Sequence, residues 1–138
     1  MTEIRPRHDL SPGEIDALED RLYRFNAERT GFSDGEGLCF VAENAGQLIG
    51  GVAGCSWGGI CELRQVWVAE AHRGRGLGRT LMEAALAEAA RRGCAHVFLA
   101  TYDFQAPGFY ARLGFHEIAR IADKPLGRTE LVMRRELA

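Results

Sequence analysis

Apolar residues recur along this chain in two rhythms, and the change from one to the other outlines its elements. From residue 11 the rhythm is helical: Ile15, Leu18, Leu22 and Phe25 fall three or four positions apart, on one helix face. Ser11-Pro12-Gly13-Glu14 supplies the start, with a capping serine, proline at the first helical position and a glutamate placed to reach back to the cap. Gly31 offers a left-handed stop. The rhythm then shortens. Residues 39–43, 48–55 and 60–68 read as strands, separated by Asn44-Ala45-Gly46-Gln47 and Ser56-Trp57-Gly58-Gly59, both rich in turn formers. Three turn-linked strands predict an antiparallel meander.

The third strand contains a slip. Cys61 and Leu63 are apolar at odd positions, whereas Val66 and Val68 are apolar at even ones, so the two-residue alternation shifts once near Arg64-Gln65. An extra residue in one strand, a β-bulge, produces that shift. Downstream, Leu77, Leu81, Met82, Ala85, Leu86 and Ala89 form a helical stripe that Gly93 closes, and Glu88 and Arg92 make an i, i+4 pair. Residues 95–101 read as a buried strand. Strand, helix and strand in that order make the flanking pair parallel, so the sheet is mixed. A short helix is expected over 106–113, then strands over 116–121 and 130–137 joined by Lys124-Pro125-Leu126-Gly127. The last strand is expected at a sheet edge, where a second copy could pair with it as a homodimer. With no repeat or linker, residues 1–138 read as a single domain.

Composition narrows the classes without choosing among them. Hydrophobic residues are 46%, charged residues 26% and the formal net charge is -2. Disorder and wholesale attraction to nucleic acid are both disfavoured. No apolar stretch suggests a signal peptide or a membrane span, so a soluble cytoplasmic protein without a membrane partner is expected. Cys39, Cys55, Cys61 and Cys94 show no metal-ligand spacing, and reduced thiols are expected, with neither metal nor disulfide.

The chemistry concentrates in Arg73-Gly74-Arg75-Gly76-Leu77-Gly78, between the third strand and the long helix. Alternate glycines let the backbone approach a ligand closely, and the helix start adds open N–H groups and a positive dipole end. Arg73, Arg75 and Arg79 add donors that suit phosphate oxygens, so a diphosphate-bearing ligand fits best. The Gly-x-Gly-x-x-Gly spacing of dinucleotide sites fails, because Arg79 stands where the third glycine would be. No Gly-Lys-Ser/Thr of a nucleotide P-loop occurs either.

This turn resembles the coenzyme A signature of the GNAT superfamily of N-acetyltransferases, Gln/Arg-x-x-Gly-x-Gly/Ala, through Arg73, Gly76 and Gly78. Leu63, Val66 and Val68 before it, the long helix after it and Phe109-Tyr110-Ala111-Arg112-Leu113-Gly114-Phe115 fall in the family's order, so the likeness spans roughly residues 38–121. The resemblance implies an α/β fold of the α+β type: a mixed, mainly antiparallel twisted sheet of six to seven strands, helices on both faces and a splayed, bulged central strand pair. It also implies an N-terminal strand around residues 3–7, which would make residues 60–68 the fourth strand. Acetyl-CoA would be the co-substrate, with no metal. Val66, Trp67 and Val68 would line its pantetheine arm, and the backbone of Arg73, Gly74, Arg75, Gly76, Leu77, Gly78 and Arg79 would hold its diphosphate.

Transfer from a thioester to an amine needs a base for the amine and an acid for the departing thiolate. By the resemblance, Tyr110 takes the place of the acid, and a phenol is protonated at neutral pH. By the same resemblance Glu62 falls on the position of the catalytic glutamate of histone-acetylating family members, to act directly or through water, although a solvated strand carboxylate is the plain alternative. Asp103 stands where many family members carry an asparagine that contacts the pantetheine or the acceptor, and it lacks the amide donors. Tyr102, Phe104 and Gln105 flank it as pocket or sheet-end residues. Asp34, Glu36 and Glu62 are candidates to attract a cationic amine, and Arg128 to hold a carboxylate. A small-molecule amine such as an amino acid or polyamine-like metabolite is the expected acceptor. A protein lysine or N-terminus, or a non-catalytic acyl-CoA sensor, are the alternatives.

Overall fold

Ser11 caps helix α1 (Pro12–Thr30) through a reciprocal pair of bonds. Its hydroxyl oxygen accepts from the Glu14 N–H at 3.2 Å, and the Glu14 carboxylate accepts from the Ser11 N–H at 3.2 Å. Two donors that a helix start leaves open are thereby satisfied. Gly31 ends the helix at φ 78°, as its position predicts. The computed structural model describes residues 1–137, in two compact units: Met1–Ser33, which holds α1, and the rest of the chain from Asp34. Among the described residues no helix is long and apolar enough to cross a membrane.

The second unit carries a six-stranded sheet. Its elements are β1 (Glu36–Asn44), β2 (Gln47–Trp57), β3 (Ile60–Val68), α2 (Leu77–Arg91), β4 (His96–Tyr102), α3 (Pro107–Arg112), β5 (His116–Ala122) and β6 (Thr129–Glu136). The strand order is β1-β2-β3-β4-β6-β5, antiparallel throughout except for the parallel pair β3 and β4.

Two expectations need correction. No strand forms at residues 3–7, so the bulged strand is the third and not the fourth. Pro6 removes a ladder donor there, and Ile4 is the one aliphatic side chain of the segment. The last strand is not at an edge: β6 lies between β4 and β5. Burial explains the order, since β6 buries Leu131 and Met133 while no residue of β5 is buried. A strand with a side chain set fit for the core takes the inner place.

One sheet face carries the core. Leu38, Val52, Cys61, Leu63, Val97 and Leu99 lie under the α2 stripe of Leu81, Met82, Ala85, Leu86 and Ala89. The expected stripe and the buried one therefore coincide, apart from the half-buried Leu77. Tyr110, Leu113 and Phe115 extend the same core from α3 and the turn after it. Arg92 pins the end of α2 to the first two strands. Its Nε donates to Glu88 at 2.7 Å, its Nη1 to the Ser56 hydroxyl at 3.0 Å, and its Nη2 to the Gly37 carbonyl at 3.0 Å. Only the Glu88 partner was visible as a spacing in the sequence.

Candidate active site

The site begins with the bulge. β2 and β3 pair Gly54 with Leu63 and Ala53 with Gln65, which makes Arg64 the extra residue of a bulge. The shift falls where the apolar alternation slips, and it carries the core face from Cys61 and Leu63 to Val66 and Val68. Gly54 makes the bulge sterically feasible. A Cβ at that position would lie 1.9 Å from the Glu62 carbonyl oxygen and 2.9 Å from the Leu63 Cα.

Beyond the bulge the sheet forks. β3 and β4 pair only from Ile60 with His96 to Leu63 with Leu99, although β3 continues to Val68 and β4 to Tyr102. Each strand keeps its outer neighbour, β2 or β6, throughout that stretch. The inner edges of the two strands consequently no longer pair with each other, and backbone groups there take other partners, as the Val68 carbonyl and the Tyr102 N–H take side chains, or are open to a ligand. Between them lies a cleft of about 690 Å³. β3 lines it from Leu63 to Val68 and β4 from Leu99 to Thr101. Arg73, the loop Phe104–Gln105–Ala106 and Tyr110 complete the wall.

The glycine turn lies at the end of β3. The Arg73 side chain folds back and its Nε donates to the Val68 carbonyl at 2.9 Å, joining the turn to the strand. Gly74 and Gly76 adopt φ 76° and 82°, a region where a side chain is strained. The first internal bond of α2 runs from the Thr80 N–H to the Gly76 carbonyl at 3.0 Å. The amides of Leu77, Gly78 and Arg79 precede it and have no partner within the helix. Gly78 packs close to its neighbours: a Cβ there would touch the Phe109 ring at 3.4 Å and Val68 Cγ2 at 3.6 Å, so a larger side chain would press on both. Arg79 donates to Glu83 at 2.9 Å.

Tyr110 is buried, at the wall of the cleft, between the rings of Phe109 and Phe115 at 5.2 and 6.0 Å in edge-on contact. Burial pushes its phenol above the usual value of 10, because the charged form is poorly solvated there. The group therefore stays protonated through the neutral range. Burial also pushes the Cys61 thiol up to about 11, which makes it a poor nucleophile. All four cysteines are free, and among the described residues no group of three or more His, Cys, Asp or Glu is placed to hold a metal.

The structure brings Val66, Trp67, Val68, Arg73 and Tyr110 together around one cleft. It places Glu62 and Asp103 beside it. Glu62 is half-buried one residue before the lining of β3, and its carboxylate accepts from Arg64 Nε at 3.0 Å. Asp103 turns toward the β5–β6 connection, accepting from Arg128 Nε at 2.9 Å and from the Thr129 N–H at 3.2 Å. Arg128 also lies over the Phe104 ring at 5.2 Å, so its guanidinium has two contacts within this loop. Asp34 accepts from the Gly58 N–H at 3.0 Å and Glu36 lies 3.6 Å from Arg92. Local partners thus account for the acidic residues singled out as acceptor attractors. Gly54 and the Asp103–Arg128 clasp were not legible in the sequence, because each is defined by a partner in a different element.

Comparison with known proteins agrees with this geometry. The acetyltransferase (GNAT) family matches residues 3–115. A blasticidin-S acetyltransferase of Streptomyces morookaense is 40% identical over 99 residues, covering 71% of this chain and 73% of its own. An acetyltransferase of Agrobacterium fabrum is 30% identical over 123 residues, covering 88% and 90%. Among solved structures, an acetyltransferase from Agrobacterium tumefaciens superposes with a TM-score of 0.87 at 26% identity, covering 99% of both chains.

Proposed function

The chain belongs to the acetyltransferase (GNAT) family, an acyltransferase that uses acetyl-CoA, and from that premise we propose that its acceptor is a primary amine of a small molecule, acetylated directly in a ternary complex. The fork between β3 and β4 carries the acetyl-CoA part of this reading. Its two strand edges, which no longer pair with each other, suit an extended arm bearing amide groups, as a peptide-like strand would be held, and the glycine turn at one end suits a diphosphate. When bound, acetyl-CoA supplies an activated acetyl group as a thioester. Val66, Trp67 and Val68 hold the arm, and Arg73 with the turn from Gly74 to Arg79 holds the diphosphate.

Within that arrangement Tyr110 stands at the reacting end. The amine nitrogen forms its bond to the acetyl carbon and the carbon–sulfur bond breaks. Tyr110 gives its phenolic proton to the sulfur, and the proton lost by the amine passes to Glu62, directly or through water. Tyr110 then regains a proton from solvent. No covalent intermediate on the protein is needed, in keeping with the raised Cys61 thiol. The small-molecule acceptor is supported by relatives named for antibiotics, the blasticidin-S enzyme and a streptothricin acetyltransferase of Streptomyces lavendulae that is 36% identical over 87 residues.

Coenzyme A release measured across a panel of amino acids, polyamines, amine-bearing antibiotics and lysine or N-terminal peptides tests the acceptor class. Turnover is expected with at least one small amine. Turnover on peptides alone would make it a protein acetyltransferase, and acetyl-CoA binding without turnover would make it a sensor. The turn has its own test. Gly76→Val with Gly78→Leu forces a β-branched side chain into a left-handed backbone conformation and presses a bulky one on Phe109 and Val68, so the turn must rearrange, and coenzyme A binding is expected to weaken by about a hundredfold in calorimetry. Unchanged affinity would remove the diphosphate from this turn.

A further inference from the structure

The loop between β4 and α3 presents one side chain whose orientation is fixed by groups that can only bond in one sense. Gln105 closes a tight turn after β4, its backbone N–H donating to the Tyr102 carbonyl at 2.9 Å. Its side-chain oxygen, Oε1, accepts from the Tyr102 N–H at 2.9 Å and from the Thr101 hydroxyl at 3.1 Å. A backbone N–H donates and never accepts, so it is the amide oxygen that must face Tyr102. Thr101 is 2% exposed, and its hydroxyl adds a second constraint. With its oxygen held by the end of β4, the Gln105 amide nitrogen is left over, and Gln105 lines the cleft together with Phe104, Thr101 and Tyr110. The neighbouring Asp103 cannot take that role. It has no donor, and both of its oxygens are turned to Arg128 and Thr129.

The geometry points to Gln105 as the residue that donates a hydrogen bond from Nε2 to an amide carbonyl of the pantetheine arm, a contact that rests on the acetyl-CoA reading of the fork. The Asp103–Arg128 clasp supports it by holding the loop: the Asp103 N–H donates to the Thr129 carbonyl at 2.9 Å, and Phe104 contacts both the Arg128 guanidinium at 5.2 Å and the Tyr102 ring, stacked at 5.3 Å and 7°. Gln105 is therefore a cofactor-binding residue on a loop that is fixed before the cofactor arrives, and little ordering is spent on making the contact.

Calorimetric titration of the wild-type chain and of Gln105→Glu and Gln105→Ala, with coenzyme A and separately with adenosine diphosphate, tests this. Gln105→Glu keeps an oxygen for the Tyr102 N–H and the Thr101 hydroxyl and removes only the donors. Its melting temperature should match the wild type, while its Kd for coenzyme A rises by about fivefold and its Kd for adenosine diphosphate does not change. Gln105→Ala should weaken coenzyme A at least as much. Wild-type affinity for coenzyme A in Gln105→Glu would overturn the assignment and leave the fork as the cofactor site. A loss shared equally by adenosine diphosphate would overturn it as well, since that ligand lacks the arm. Failure of the wild-type chain to bind coenzyme A would instead remove the underlying reading of the fork.

Discussion

Tyr110→Phe is expected to lower kcat by about a hundredfold or more while leaving the Kd for acetyl-CoA nearly unchanged, the range seen when a positioned general acid is removed. The substitution preserves the ring between Phe109 and Phe115 and deletes only the hydroxyl, so folding should not be the cause of the loss. Its pH behaviour separates the acid role from packing. Burial favours the neutral phenol, which raises its pKa above the ordinary 10; the acid form therefore persists through neutral pH and is lost only at an alkaline pH above that value. The wild-type kcat should fall on that alkaline limb as Tyr110 deprotonates, and in the phenylalanine variant the limb should vanish along with most of the rate. A phenylalanine variant with full kcat would place the acid elsewhere.

Gly54→Ala is expected to be the most damaging single methyl group in the sheet. A Cβ 1.9 Å from the Glu62 carbonyl oxygen meets backbone, and backbone cannot swing aside as a side chain can. Strand β2 or β3 must shift, and the register step at Arg64 must reorganise with it. Overpacking of this kind costs on the order of 3 kcal/mol, measurable as a lower urea midpoint. The fork opens just after Leu63, next to Glu62, so coenzyme A affinity should fall in the surviving folded fraction as well. A variant with wild-type stability and wild-type affinity would mean that the bulge does not depend on this glycine.

These two positions show what could be read from sequence and what could not. Tyr110 was legible because its neighbours form a local string, and local strings survive in one dimension. The bulge was half legible: Cys61, Leu63, Val66 and Val68 record it as a slip in alternation, since each side chain must choose a face. Gly54, the partner that permits it, looks like any glycine in the run from Gly50 to Gly54, because the atom it makes room for belongs to another strand. The same distance in sequence hid the Arg128 partner of Asp103 and the Gly37 partner of Arg92. The place of β6 inside the sheet was hidden for a different reason. Chain order suggests that the last strand is outermost, and only the contrast between its buried residues and the unburied β5 argues otherwise. For Glu62, the sequence position suggested a base, and its ion pair with Arg64 makes it a residue whose role must be measured.

A crystal structure of the chain with acetyl-CoA tests the account most directly. The expected density places the pantetheine arm along the inner edges of β3 and β4, the diphosphate on the amides from Gly74 to Arg79, and the thioester sulfur within hydrogen-bond reach of the Tyr110 hydroxyl. Acetyl-CoA bound outside the fork, or with its thioester remote from Tyr110, would contradict it.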